Sequence, residues 1–231
     1  MANTAGASPP RFAIGIGSRR LTGWPAVAIL TAALLLVGAV LVWIRPTFGM
    51  SLAAALWIGF VGYWAVAARQ AAPTASAESA ASRTIHRWLL NLSLALLFVP
   101  VPGLRVRWIP LAWPLVATGL VVQALGFLLA AWARRHLGRH WSGAVTVAVD
   151  HQLVRSGPYR VLRHPIYTAM FVMYLGICLV SGEAHALVGL AVLAVAYGRK
   201  IPLEERTLEQ TFGSAYQDYR RTSWALIPGL L

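Results

Sequence analysis

The sequence predicts an all-α integral membrane protein of about six transmembrane helices (five to six), and three observations predict it. Of the 231 residues, 58% are hydrophobic and only 12% are charged, about half the ~25% charge of a soluble domain. The apolar residues gather into uncharged runs, several near the ~20 residues that cross a bilayer as a helix. The basic residues form short clusters between those runs, where a polytopic protein meets lipid headgroups. A net charge of +13 spread this way forms no single patch, so nucleic acid is not an expected partner. The lipid bilayer is.

The runs follow in order. The N-terminal 1–20 are polar, with Arg11, Arg19 and Arg20. They precede a first span over 24–44, which is too long for a signal h-region and is read as retained. Arg45 and Pro46 end it. A second span covers 50–68. Residues 69–87 read as a polar loop or short surface helix. A third, shorter run covers 88–101 and stops at Pro100 and Pro102. A fourth covers 113–133. Residues 134–164 form the longest polar segment and hold six arginines. Two further runs, 165–180 and 184–198, are separated only by Ser181, Gly182 and Glu183, so they predict an antiparallel helical hairpin. The tail from Arg199 is charged and aromatic, with a helix expected over 203–220. The segments are therefore 1–20, then helices within 21–133, then a polar and hairpin-forming unit over 134–231.

Charge asymmetry orients the chain. With six spans and the N-terminus inside, 17 basic residues fall on the inner side and three (Arg45, Arg105, Arg107) on the outer. Both termini, the 134–164 segment and the tail then face the cytoplasm. Trp24, Trp43, Trp88, Trp108 and Trp113 sit at span ends and read as interfacial anchors. The lone cysteine, Cys178, lies in an apolar run and reads as a small buried residue. His136 and His140 share a helical face, but no carboxylate or cysteine lies between them, so no metal is expected.

Polar chemistry concentrates in two places. Four of the six histidines fall within 136–164, and four of the seven acidic residues within 204–218. The short hairpin makes its outer ends neighbours, so the segment ending at His164 meets the one starting at Arg199, giving one candidate site. In HQLVRSGPYRVLRHPIY (151–167), Gly157 and Pro158 make a turn. Pro165 suits the first turn of a helix. Arg163 and His164 stand at that helix's positive end, where they would attract an anion or anchor the helix to headgroups. In RKIPLEERTLEQTFGSAYQDYRR (199–221), Glu204 stands just past the membrane boundary, able to pair with Arg163 or hold ligand hydroxyls. Glu205 and Glu209 read as a solvated face with local pairs.

LVRSGPYRVLRHPIY (153–167), an apolar hairpin, EERTLEQTFGSAYQDYRR (204–221) and a closing LIP (226–228) together resemble the isoprenylcysteine carboxyl methyltransferase family and its phospholipid methyltransferase relatives. LGRHWS (137–142) fits bacterial members. The resemblance covers about 134–231, which makes that unit the methyltransferase core. It implies S-adenosylmethionine as cofactor, bound without a Rossmann domain between loop, hairpin and tail. The implied cofactor residues are His151, Gln152, Leu153, Val154, Gly157, Tyr159, His164, Pro165, Ile166, Tyr167 and Glu204. His164, Arg163 and Glu204 are the implied catalytic residues. Arg199 and Lys200 compete for an implied substrate-contacting position, where Pro202 interrupts the usual run. The implied partner is a lipophilic methyl acceptor, entering laterally from a bacterial inner membrane. The implied reaction is carboxyl O-methylation of an isoprenylcysteine-like substrate. Phospholipid N-methylation, thiol S-methylation, an NADPH-dependent sterol-type reductase and a non-enzymatic membrane protein are the alternatives. The absence of mid-membrane charge argues against an ion path.

Overall fold

A computed structural model describes residues 13–16, 19–22, 47–70, 75–76, 78–138, 146–147 and 153–229. The expected first span (24–44), His140, His151 and Gln152 lie outside the described residues. The chain divides into two units, 1–40 and 41–231. In the first, β1 (Ala13–Ile16) pairs antiparallel with β2 (Arg19–Thr22), Ala13 opposite Thr22 and Ile16 opposite Arg19. The sequence reading gave this segment no regular structure.

Among its described residues, the second unit is helical apart from its connections and one two-residue strand pair, β3 (Ala75–Ser76) with β4 (Thr146–Val147). Its helices are α1 (Phe48–Ala67), α2 (Ala80–Phe98), α3 (Trp113–Leu137), α4 (Pro165–Ser181), α5 (Ala184–Phe212) and α6 (Ser214–Arg221). A 3₁₀ turn spans Gly157–Arg160. Helices α1, α3 and α5 are long and apolar enough to cross a membrane, and α4 is a shorter apolar helix. The chain is an integral membrane protein built from helices.

Two boundaries differ from the sequence reading. Helix α2 starts at Ala80, well before the expected 88, because the Ser79 side chain caps it by accepting from the Ser82 N–H at 3.2 Å and alanine, serine and arginine continue it at little cost. The hairpin's second arm does not stop at 198. Helix α5 runs through Pro202 to Phe212 and ends only where Gly213 adopts φ +55°. Proline removes one N–H donor without forcing a break when packing holds both sides. The expected tail helix is thus divided between the end of α5 and α6.

Helices α3 and α4 pack backbone to backbone. A Cβ at Gly119 would stand 2.6 Å from the Gly176 carbonyl, and one at Gly176 would stand 2.5 Å from the Gln123 nitrogen. Small residues allow this approach where the solvent is hydrocarbon and association rests on close packing. Gln123, fully buried, donates to the Ala53 carbonyl at 2.8 Å and ties α3 to α1. Trp57 fills the centre, 5.6 Å from Tyr174 and 6.2 Å from Phe98. Helix α2 binds α5 through the Ser93 hydroxyl on the Gly189 carbonyl at 2.7 Å. Gly182, at φ +63°, makes the tight turn between α4 and α5. Its carbonyl accepts from the Trp108 N–H at 3.0 Å, so the 99–112 connection is pinned over that turn. The hairpin is therefore rigid at its closed end, and its open end is where α4 begins and α5 leaves the membrane.

Candidate functional site

At that open end the side chains of α4 and α5 meet as the short turn requires. The Tyr167 hydroxyl donates to the Glu204 carboxylate at 2.6 Å. Two rings stack with the Tyr167 ring. His164 lies 5.3 Å away with planes 4° apart, and Tyr197 lies 4.3 Å away. Phe171 closes the row, 5.9 Å from Tyr197. Tyr197 is seven residues before Glu204, two helical turns along one face of α5. The sequence reading missed it, although that spacing was there to be seen. His164 is buried, with Nδ1 3.9 Å from Glu204 and Nε2 3.4 Å from Glu205. Glu204 keeps 31% of its side chain exposed, so this carboxylate borders open space, with aromatic faces beside it.

A second layer holds this row in place. Arg163 Nε stands 2.7 Å from Glu205 Oε1, both side chains about one-tenth exposed. The same guanidinium donates to the carbonyls of Arg220, at 3.2 Å, and Ser223. Backbone bonds follow the same line. The Arg163 N–H donates to the Trp224 carbonyl at 2.7 Å, His164 N–H to Ala225 at 3.1 Å, and Trp224 N–H back to Val161 at 2.9 Å. The Thr168 hydroxyl reaches the Leu226 carbonyl at 2.8 Å. The closing tail is therefore laid along the entrance to α4 like a short strand, which explains why a Leu-Ile-Pro end accompanies an Arg-His-Pro entry. Glu205 departs from its expected role. It is buried as the counter-charge of Arg163, and it does not lie on a solvated face. Arg163 is correspondingly occupied by protein groups, as a latch between α4, α5 and the tail.

The loop before α4 forms the floor. Gly157 adopts φ +57°, and a Cβ there would lie 2.3 Å from Nε2 of His136 on α3. Only glycine meets both conditions. Leu153 and Val154 are half-buried, and Tyr159 is buried. Burial, followed by the charge of Glu204, pushes the Tyr159 phenol well above its ordinary range. From α6, the Tyr219 hydroxyl donates to the Tyr159 carbonyl at 2.6 Å, and burial pushes its own pKa up to about 12. Arg134 is 2% exposed and donates to Gly138 and to Ala67 at 2.6 Å each, capping the ends of α3 and α1 beside this floor. The sequence reading counted Arg134 only as loop charge. Pro165 and Ile166 occupy the first turn of α4, as expected.

Arg199 and Lys200 turn away from this row toward α2. Arg199 donates to the Ser82 hydroxyl at 3.0 Å and to its carbonyl at 3.4 Å. Lys200 is buried against Glu78 at 2.9 Å, and Glu78 also accepts from the Ser82 hydroxyl at 2.7 Å. Burial raises the Glu78 carboxyl, but Ser82 and Lys200 outweigh it and the net shift is downward.

The phospholipid methyltransferase family profile matches residues 115–215, which is α3 through the start of α6. A protein-S-isoprenylcysteine O-methyltransferase of Dictyostelium discoideum is 33% identical over 82 residues, 35% of each chain. Protein-S-isoprenylcysteine O-methyltransferase B of Arabidopsis thaliana is 29% identical over 121 residues, 51% of this chain and 59% of that one. The chain thus spans about a third to three-fifths of the length of these two relatives. The solved structure of a eukaryotic intramembrane Ras methyltransferase, isoprenylcysteine carboxyl methyltransferase, aligns over 90% of this chain and 88% of its own, with a TM-score of 0.48 and 18% identity. The profile match covers the stacked tyrosines, the Arg163–Glu205 pair and the Gly157 turn, and over this stretch the chain is similar to the phospholipid methyltransferases.

Proposed function

We propose that this chain is an S-adenosylmethionine-dependent membrane methyltransferase that esterifies the carboxylate of a lipophilic, isoprenylcysteine-like acceptor. One observation carries the reading. A carboxylate about one-third exposed, Glu204, is held by the Tyr167 hydroxyl beside the stacked faces of Tyr167 and Tyr197. Aromatic faces attract cations electrostatically, and a neighbouring carboxylate serves a cation or a diol. This donor set fits a sulfonium nucleoside. When bound, S-adenosylmethionine supplies an electrophilic methyl group. Tyr167, Tyr197 and Glu204 would hold its cation and ribose. His164, Pro165 and Ile166, at the positive end of α4, would take its carboxylate, and Leu153, Val154, Gly157 and Tyr159 would line the adenine side. His151 and Gln152 belong to the same expectation.

The protein's own contribution is positional. Methyl transfer is an in-line displacement, so orientation and exclusion of water supply most of the rate. A carboxylate acceptor needs no proton removed, so His164 serves here by stacking on Tyr167, with no base role required. An amine or thiol acceptor would need a base, and His164 is the nearest group of that kind. The apolar sides of α4 and α5 give a lipophilic acceptor a lateral route from the bilayer. The charge asymmetry supports a cytoplasmic position for this site and both termini.

The test is transfer of tritiated methyl from S-adenosylmethionine to farnesylated cysteine, phosphatidylethanolamine and simple thiols in parallel. The reading expects base-labile label on farnesylated cysteine. Label on phosphatidylethanolamine or on the thiols, with none on farnesylated cysteine, would reassign the acceptor.

A further inference from the structure

The Glu78–Lys200 pair lies one helical turn from the proposed donor carboxylate and has no place in the chemistry above. Lys200 and Glu204 stand four apart on α5, the spacing at which lysine and glutamate pair on a helix surface. They do not pair here. The Lys200 ammonium is drawn to the other side, 2.9 Å from Glu78 Oε2, with both side chains about one-twentieth exposed. Glu78 is itself fixed just ahead of α2, accepting from the Ser82 hydroxyl at 2.7 Å. Ser82 in turn receives Arg199 at 3.0 Å, so both cations at this turn of α5 are taken up by the start of α2. Further along α2, His86 lies 5.8 Å from Tyr197, the ring that stacks on Tyr167. The start of α2 therefore touches the donor row and also controls the one buried lysine in reach of it.

We propose that Glu78 is a positioning residue that withholds Lys200 from Glu204, keeping the Glu204 carboxylate available to the cationic methyl donor. Without Glu78, Lys200 would turn to the nearest carboxylate on its own helix. Glu204 would then be neutralised, and a fixed ammonium would stand beside the place a sulfonium must occupy, like charge against like. Pairing outward also spares Lys200 the cost of burial without a counter-charge. The assignment rests on the donor reading of Glu204.

The experiment is calorimetric titration of S-adenosylmethionine into the full-length protein in detergent, for wild type, Glu78→Gln, Lys200→Met and Glu78→Gln/Lys200→Met. Glu78→Gln is expected to bind about tenfold more weakly. The double variant is expected to return to within about twofold of wild type, because removing the lysine removes the competitor. If Glu78 serves only to hold α2, the double variant stays as weak as the single one, and that result overturns the proposal. Unchanged affinity in Glu78→Gln overturns it too, while leaving the donor reading intact. Absence of binding in wild type overturns both. Should Glu78→Gln fail to fold, Glu78→Asp lengthens the same ion pair. It is expected to weaken binding about threefold and to be rescued by Lys200→Met, and lack of that rescue counts against the proposal.

Discussion

Glu205→Ala is expected to open the tail latch at a cost worked from its surroundings. Its Oε1 lies 2.7 Å from Arg163 Nε, and the two side chains are 11% and 10% exposed. Removing one partner of a buried pair leaves the other charge uncompensated, typically at about 3–5 kcal/mol. Arg163 keeps the Arg220 and Ser223 carbonyls as acceptors, and Arg220, itself half-exposed, lies 3.8 Å from Glu205, so water is close. Both facts place the loss at the lower end, about 3 kcal/mol. Glu205→Gln keeps an acceptor oxygen and loses only the charge assistance, about 1–1.5 kcal/mol. The assay pairs denaturant unfolding in detergent with the rate of tryptic cleavage at Arg220 and Arg221, which the latch protects by holding the tail along α4. The expected order of both stability loss and cleavage rate is alanine, then glutamine, then wild type. If Glu205→Ala unfolds and is cleaved like wild type, the carboxylate is a surface group and the latch reasoning fails.

Three further outcomes are expected. Gly157→Ala must place a Cβ in left-handed backbone and against His136, costing about 1–3 kcal/mol and lowering donor affinity. Combining it with His136→Ala should relieve the contact but not the backbone part, so partial recovery is the expected reading and full recovery would show that φ is not limiting. Tyr219 gives a pH dependence with a definite sign. Its folded pKa, near 12, is above its ordinary value of 10.0, so its stabilisation is full below about pH 10 and is lost as pH rises toward 12. Tyr219→Phe should flatten that alkaline limb of the unfolding profile, and an unchanged limb would remove Tyr219 as its source. Last, the label from methyl transfer should be base-labile when farnesylated cysteine is the acceptor, as carboxyl esters are.

The sequence was most legible where one physical rule decided the outcome. Ser181, Gly182 and Glu183 are too few to do anything but reverse the chain, and that alone brought His164 and Tyr167 to Glu204. Apolar run length placed α1, α3 and α4 within a few residues. What was not legible depends on which of several nearby partners a charge takes. Glu204 and Glu205 are adjacent and look alike in sequence, yet one faces the stacked tyrosines and the other is buried under Arg163. Helical phase separates them by 100°, and only the packed position of α5 says which faces inward. The start of α2 was hidden for a related reason. Residues 80–87 are polar enough to read as a loop or short surface helix, and the contacts of Ser82 with Arg199 and of Glu78 with Lys200 emerge only in three dimensions. Arg134 has the same history, since nothing local marks an arginine that caps two helices. The break expected between 198 and 203 is absent because packing on both sides carries α5 through Pro202.

The central claim is that Glu204, Tyr167 and Tyr197 form a seat for a cationic methyl donor. It is tested most directly by calorimetric titration of S-adenosylmethionine, with NADPH as comparison, into the detergent-solubilised protein and its Glu204→Ala variant. The account predicts heat from S-adenosylmethionine and none from NADPH, with at least about tenfold weaker binding in Glu204→Ala, a loss of ~1.4 kcal/mol. Binding of NADPH without binding of S-adenosylmethionine, or a Glu204→Ala affinity equal to wild type, would contradict it.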